Sequence, residues 1–205
     1  MSQSPEDATR RELILASNSP RRRELLTAAG YAFRVIPPDP AAEDGLCSGE
    51  PPVRTVMRLA RQKAENVAPK VQNGLILACD TVVVCRGRLL GKPEDRKHAR
   101  QILRILRGQR HEVISGLCLW DYPGGEPDVR AAVSVLMMRN IPDEAIEEYL
   151  ATDLWEGKAG AFGYQDRLDW LSLLEGSESN VVGLPMELLA EMLEPHGLSP
   201  RRDSA

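Results

Sequence analysis

The chain alternates short apolar runs with stretches of helical spacing. Leu13-Ile14-Leu15-Ala16 is an apolar run of strand length. After Ser17-Asn18-Ser19, apolar positions recur at helical intervals from about Pro20 to Ala29, and Gly30 supplies a stop. Tyr31 to Ile36 reads as a second strand closed by Pro37 and Pro38, and Asp39 to Pro52, rich in Pro, Gly, Asp and Glu, as a surface loop. Val53 to Val67 has helical spacing, with Val56, Leu59, Ala60, Lys63 and Ala64 on related faces. Leu75 to Cys79 forms a short apolar strand ending in Asp80, and Thr81 to Cys85 continues in β-branched residues. Arg86-Gly87-Arg88 then turns the chain.

Asp95 to Arg107 is helical, with Ile102, Leu103, Ile105 and Leu106 on its buried side. Glu112 to Trp120 and Ala131 to Met138 flank a Pro123-Gly124-Gly125 turn and predict an antiparallel pair. Asp143 to Ala151 is a short helix, and Pro185 to Leu193 a terminal one; Asn180 to Pro185 reads as a loop feeding it. Strands and helices alternate early and strands pair later. The expected class is therefore α/β, a mixed, twisted sheet flanked by helices.

Composition narrows the picture. With 205 residues and 42% hydrophobic content, one compact domain over about residues 11–198 is expected, with flexible ends at 1–10 and 199–205. The net charge of −4 argues against a general nucleic-acid binder, which needs a broad basic surface. Cys47, Cys79, Cys85 and Cys118 form no C-x-x-C pair, and His98, His111 and His196 are scattered, so a zinc site is not expected. Cys79 and Cys118 fall within apolar runs and read as core residues. Neither a signal-peptide core nor a membrane-length apolar run is visible, and the expectation is a cytoplasmic protein without a membrane partner.

The candidate chemistry starts at the first strand-to-helix turn. Ser19 can cap the helix and Pro20 fits its first turn. The free N–H groups there favour a phosphate, to which Arg21 or Arg22 can add a charge-assisted contact. A capped helix with a solvated basic face is the alternative. Asp80 offers a carboxylate for a hard cation or an attacking water, against an Asx turn as the plain alternative. Lys92, in Gly91-Lys92-Pro93, and Lys63, on an amphipathic helix, are cations that solvation alone would explain. Glu43 lies in the acidic loop. Gln165 ends the glycine-rich Lys158-Ala159-Gly160-Ala161-Phe162-Gly163-Tyr164-Gln165 and offers both donors and acceptors. A phosphate cradle, a carboxylate, scattered cations and an amide together suit a triphosphate.

These blocks, in this order, resemble the Maf family of nucleoside triphosphate pyrophosphatases. Leu15 to Arg22, Ala78 to Val83, Gly91-Lys92-Pro93, Ser115-Gly116, Lys158 to Gln165 and Asn180 to Pro185 carry the resemblance, which spans about Leu13 to Leu193. It implies a fold similar in outline to inosine triphosphate pyrophosphatases, a homodimer, and Mg²⁺- or Mn²⁺-dependent release of pyrophosphate from a nucleoside triphosphate. By position it makes Asp80 the catalytic carboxylate, as base or metal organiser, with Glu43 as a second acidic metal position. Ser17, Ser19, Arg21 and Arg22 would bind phosphates, Lys63 and Lys92 would neutralise them, and Gln165 would place the metal, water or base. Gln165 and the Asn180 block resemble the dTTP- and UTP-hydrolysing branch; 7-methyl-GTP hydrolysis and non-catalytic nucleotide binding in septum formation are the alternatives. Asp166, where a glycine commonly follows the glutamine, departs from the family pattern.

Overall fold

A computed structural model describes residues 11–43, 49–166 and 169–200. Of the expected ends at 1–10 and 199–205, residues 1–10 and 201–205 lie outside the described residues, as does Cys47. The core element is a seven-stranded sheet: β1 (Leu13–Ala16), β2 (Phe33–Val35), β3 (Gly74–Cys85), β4 (Arg88–Leu90), β5 (Arg110–Tyr122), β6 (Asp128–Met138) and β7 (Leu171–Glu175). The order is β2-β1-β3-β5-β6-β7, with β4 also paired to β3. β1 runs parallel to β2 and β3, and the remaining pairs are antiparallel. The mixed sheet is thus as expected.

Helices cover both faces. α2 (Pro52–Val67) lies on one, burying Val56, Leu59, Ala60, Lys63, Ala64 and Val67. Its cluster takes Ile14, Ala16, Ile76 and Ala78 from the sheet. The alternate residues Leu13, Leu15, Leu75, Leu77 and Cys79 face the other layer, where α1 (Pro20–Ala28) and α6 (Met186–Leu193) pack. Further along that layer lie α3 (Arg96–Leu106) and α4 (Asp143–Leu150), against Val83, Val113, Leu136 and Met138. Since β1 and β3 are covered on both sides, their sequences read as continuous apolar runs rather than alternating ones.

Several boundaries differ from expectation. β3 is one uninterrupted strand, so Asp80 sits mid-strand instead of ending one. Asn180 to Pro185 is not simply a loop: α5 (Glu178–Val182) forms there, begun by the Ser177 hydroxyl accepting from the Asn180 N–H. β7 was not anticipated from the sequence, because its five residues form an edge strand that takes its register from β6 rather than from a clear alternation. Within the predicted Asp39–Pro52 loop, Pro40–Glu43 makes a 3-10 turn.

Candidate functional site

The ladder of β3 creates the site. On its β1 side, pairing covers Leu75 to Ala78; on the same side β4 pairs only with Val83 to Cys85. Between these stretches Cys79 to Val82 pairs with β5 alone. A cleft of about 320 Å³ opens at this gap. The turn after β1 enters it from one side, and the Gly91-Lys92-Pro93 segment after β4 from the other. Ser17, Ser19, Arg21, Arg22, Lys63, Asp80, Lys92 and Gln165, scattered over the sequence, all line this one cleft. For Glu43 only the backbone of its 3-10 turn is described, so its expected acidic position lies outside the described side chains.

Asp80 faces the α2 layer. Its Oδ1 receives the Lys63 ammonium at 2.7 Å, and Lys63 is 4% exposed. That contact depends on Gly116, which is in register with Asp80 on β5. A Cβ at Gly116 would run into the backbone of Val56 and Met57, so the missing side chain lets α2 lie directly on the strand. Lys63 follows Val56 by two helical turns and therefore reaches the same face. The ammonium holds the carboxylate in one orientation.

The first helix begins differently from expectation. Ser19 occupies the position before the helix, but its hydroxyl caps nothing. Instead the Ser17 Oγ accepts from the Ser19 N–H at 3.2 Å, closing a short hydroxyl-backbone turn. Arg22 is similarly committed to the protein. Its Nε donates to the Gly183 carbonyl at 2.8 Å, Nη1 to Ser17 Oγ at 3.1 Å and Nη2 to Thr81 Oγ1 at 3.2 Å. Arg22 thereby ties the turn to β3 and α5, and keeps two further N–H groups on its fork. Arg21 reaches the Gly157 carbonyl at 3.3 Å. Burial, and then the adjacent Arg22, push its guanidinium below the usual arginine range. An incoming polyanion relieves both effects.

The far wall is the Lys158 to Gln165 segment. Asp166, the departure from the family pattern, accepts from the Lys158 ammonium at 2.5 Å, from the Tyr149 hydroxyl at 2.6 Å and from the Gly163 N–H at 3.1 Å. A Cβ at Gly163 would meet the far ends of two flexible side chains, the Lys158 ammonium and the Asp166 carboxylate. The Gly160 N–H donates to the Gly91 carbonyl at 3.1 Å, which joins this wall to the segment carrying Lys92. Gln165 is exposed at the cleft.

Arg21, Arg22, Lys63, Lys92 and Lys158 thus surround the carboxylates of Asp80 and Glu156 in a chain of net charge −4. Such a charge distribution suits a polyphosphate. Two hydroxyls near Asp80 are engaged within the protein: the Ser17 hydroxyl accepts from Arg22 and Ser19, and the Ser115 hydroxyl pairs with Thr81 Oγ1 at 2.9 Å. Burial pushes the Cys79 thiol up, away from thiolate. The described residues include no group of three or more His, Cys, Asp or Glu side chains fit to cage a metal. Asp80, with Oδ1 on Lys63, instead suits a cation that takes most of its oxygens from a phosphate chain and water, as Mg²⁺ does. Gly116, Thr81, Gly183 and Asp166 are the contributors that the sequence reading left without a role. Thr81, Gly116 and Gly183 fall within the family blocks and Asp166 departs from them, which were the signals that pointed toward them.

A family model described as "Maf-like protein" matches residues 12–196. A dTTP/UTP pyrophosphatase of Rhodopirellula baltica is 51% identical, over 89% of this chain and 81% of its own. Another dTTP/UTP pyrophosphatase, from Dictyoglomus thermophilum, is 41% identical over 93% of this chain and 98% of its own. Among solved structures, a HAM1 protein from Coxiella burnetii aligns with a TM-score of 0.50 at 15% identity. It covers 90% of this chain and 98% of its own, a likeness of fold alone. No described helix is long and apolar enough to cross a membrane.

Proposed function

The chain belongs to the Maf family, and on that premise we propose that it hydrolyses dTTP and UTP to the nucleoside monophosphate and pyrophosphate. The observation that carries this reading is the Lys63–Asp80 pair at the bare stretch of β3, inside a cleft ringed by cations. In this account Arg21, Lys92 and the remaining donors of Arg22 bind the phosphate chain, while the Ser17 turn fixes the helix start beside it. Lys63 keeps Asp80 aimed. Asp80 then orients the water that attacks the α-phosphorus, and the pyrophosphate leaves on the cationic wall. Gln165 holds the water or base by its amide.

Metal dependence is part of the proposal. Asp80, with the phosphate oxygens, would hold Mg²⁺ or Mn²⁺, which when bound supplies positive charge to the bridging and non-bridging oxygens. A homodimer and a cytoplasmic setting belong to the same reading. Cys79, Cys85 and Cys118 are free and buried, in keeping with a reducing compartment.

The test is pyrophosphate release from a panel of nucleoside triphosphates with Mg²⁺, run in ¹⁸O-labelled water. The expected result is turnover of dTTP and UTP, with label in the monophosphate. Label in the pyrophosphate, or binding without release, contradicts the reading.

A further inference from the structure

We propose that His111 reads the base, by accepting a hydrogen bond at Nε2 from the imide N3–H that uracil and thymine share and cytosine lacks. This rests on the reading of the cleft as a pyrimidine triphosphate site. The cleft has two chemically distinct parts. One is the cationic gap around Asp80; the other extends between Val83, Val113, Leu136, Met138 and Leu171, which supply only apolar surface. His111 lines that second part and is 4% exposed.

The ring is held in one orientation. Its Nδ1 lies 3.2 Å from the Gln109 carbonyl oxygen, an acceptor, so Nδ1 carries the proton and Nε2 the lone pair. No hydrogen bond to Nε2 occurs among the described residues. Burial lowers the imidazole pKa, which keeps the ring neutral and Nε2 an acceptor. An imidazole acceptor without a protein donor beside an apolar recess suits a ligand donor, because the apolar walls offer it none. Aromatic edges with one N–H fit such a recess, and a flat pyrimidine is small enough for it.

Reach agrees. His111 and Gly116, the register partner of Asp80, lie on the same strand, roughly 16 Å apart at the usual rise per residue. That separation is within the span of an extended nucleotide with its phosphates at Asp80. His111 shares its sheet face with Val113 and Ser115, and Ser115 bonds Thr81 at the gap, so the recess and the phosphate site are continuous.

The experiment compares kcat/KM for UTP and for N3-methyluridine triphosphate, which retains both ring carbonyls and loses only the N–H. The unaltered protein is expected to favour UTP by about 10- to 100-fold. In His111→Ala, which removes the acceptor and leaves room for the methyl group, the ratio falls to about 1. A ratio retained in His111→Ala overturns the inference, and a ratio lost in Gln165→Ala instead moves base reading to Gln165. Should His111→Ala fail to fold, ¹⁵N spectra of the unaltered protein decide. The His111 Nε2 resonance should shift to the hydrogen-bonded range with the non-hydrolysable α,β-imido-UTP and not with α,β-imido-CTP; an unmoved resonance overturns the inference. If no pyrimidine triphosphate is hydrolysed, the functional reading fails instead; if UTP and its N3-methyl form react alike, only the base assignment fails.

Discussion

Asp166 gathers the Lys158 ammonium, the Tyr149 hydroxyl and the Gly163 N–H one residue after Gln165. With Asp166 and Lys158 side chains 7% and 13% exposed, this is a nearly buried ion pair. Removing one charge of such a pair typically costs about 3–5 kcal/mol. Asp166→Asn is therefore expected to lower the urea midpoint and to reduce kcat/KM for dTTP, because the Gln165 wall loses its anchor. Unchanged stability would show that the pair does not hold this wall. Burial also makes His111 a stability sensor. Its folded pKa lies below the usual histidine value, so the unfolded chain binds the proton first. Stability is full above the unfolded pKa and falls as the pH drops below it, by up to about 1.4 kcal/mol per pH unit for one proton. Urea unfolding at pH 7 and pH 5.5 should show this loss, smaller in His111→Phe than in the unaltered protein.

At the scale of elements, the cleft exists because two partners of β3 leave a bare stretch between them and because α2 rests on Gly116. Gly116→Ala must move the helix or the strand. Overpacking of this kind costs about 1–3 kcal/mol, and it separates Lys63 from Asp80. The expected result is a lowered melting temperature together with a kcat loss larger than any change in KM; parental kcat would show that the helix contact does not set the pair. Which elements form was largely legible, since the apolar run of β1, the spacing of α2 and the Pro123-Gly124-Gly125 turn are local signals. The meeting of Lys63 with Asp80 was not, because it depends on how closely one helix approaches one strand. Nor was the engagement of Arg22, whose acceptors on Ser17, Thr81 and Gly183 come from three separate segments. α5 escaped a local reading because its five residues are fixed by Ser177 and by Asn180, whose side chain donates to the Val113 carbonyl and to Ser134.

Across the whole molecule, an acidic chain concentrates cations where three parts of the sequence converge on one strand edge. The sheet holds Asp80 in place, the helix layer on one side supplies Lys63, and the Lys158 to Gln165 wall closes the other side. That arrangement suits a polyphosphate without a broad basic surface. The most direct measurement is the rate of pyrophosphate release from dTTP with Mg²⁺ by Asp80→Asn, alongside a thermal melt. The account predicts a parental melting temperature to within a few degrees and a kcat lower by about 10²- to 10⁴-fold. A folded Asp80→Asn protein that releases pyrophosphate at the parental rate would contradict it.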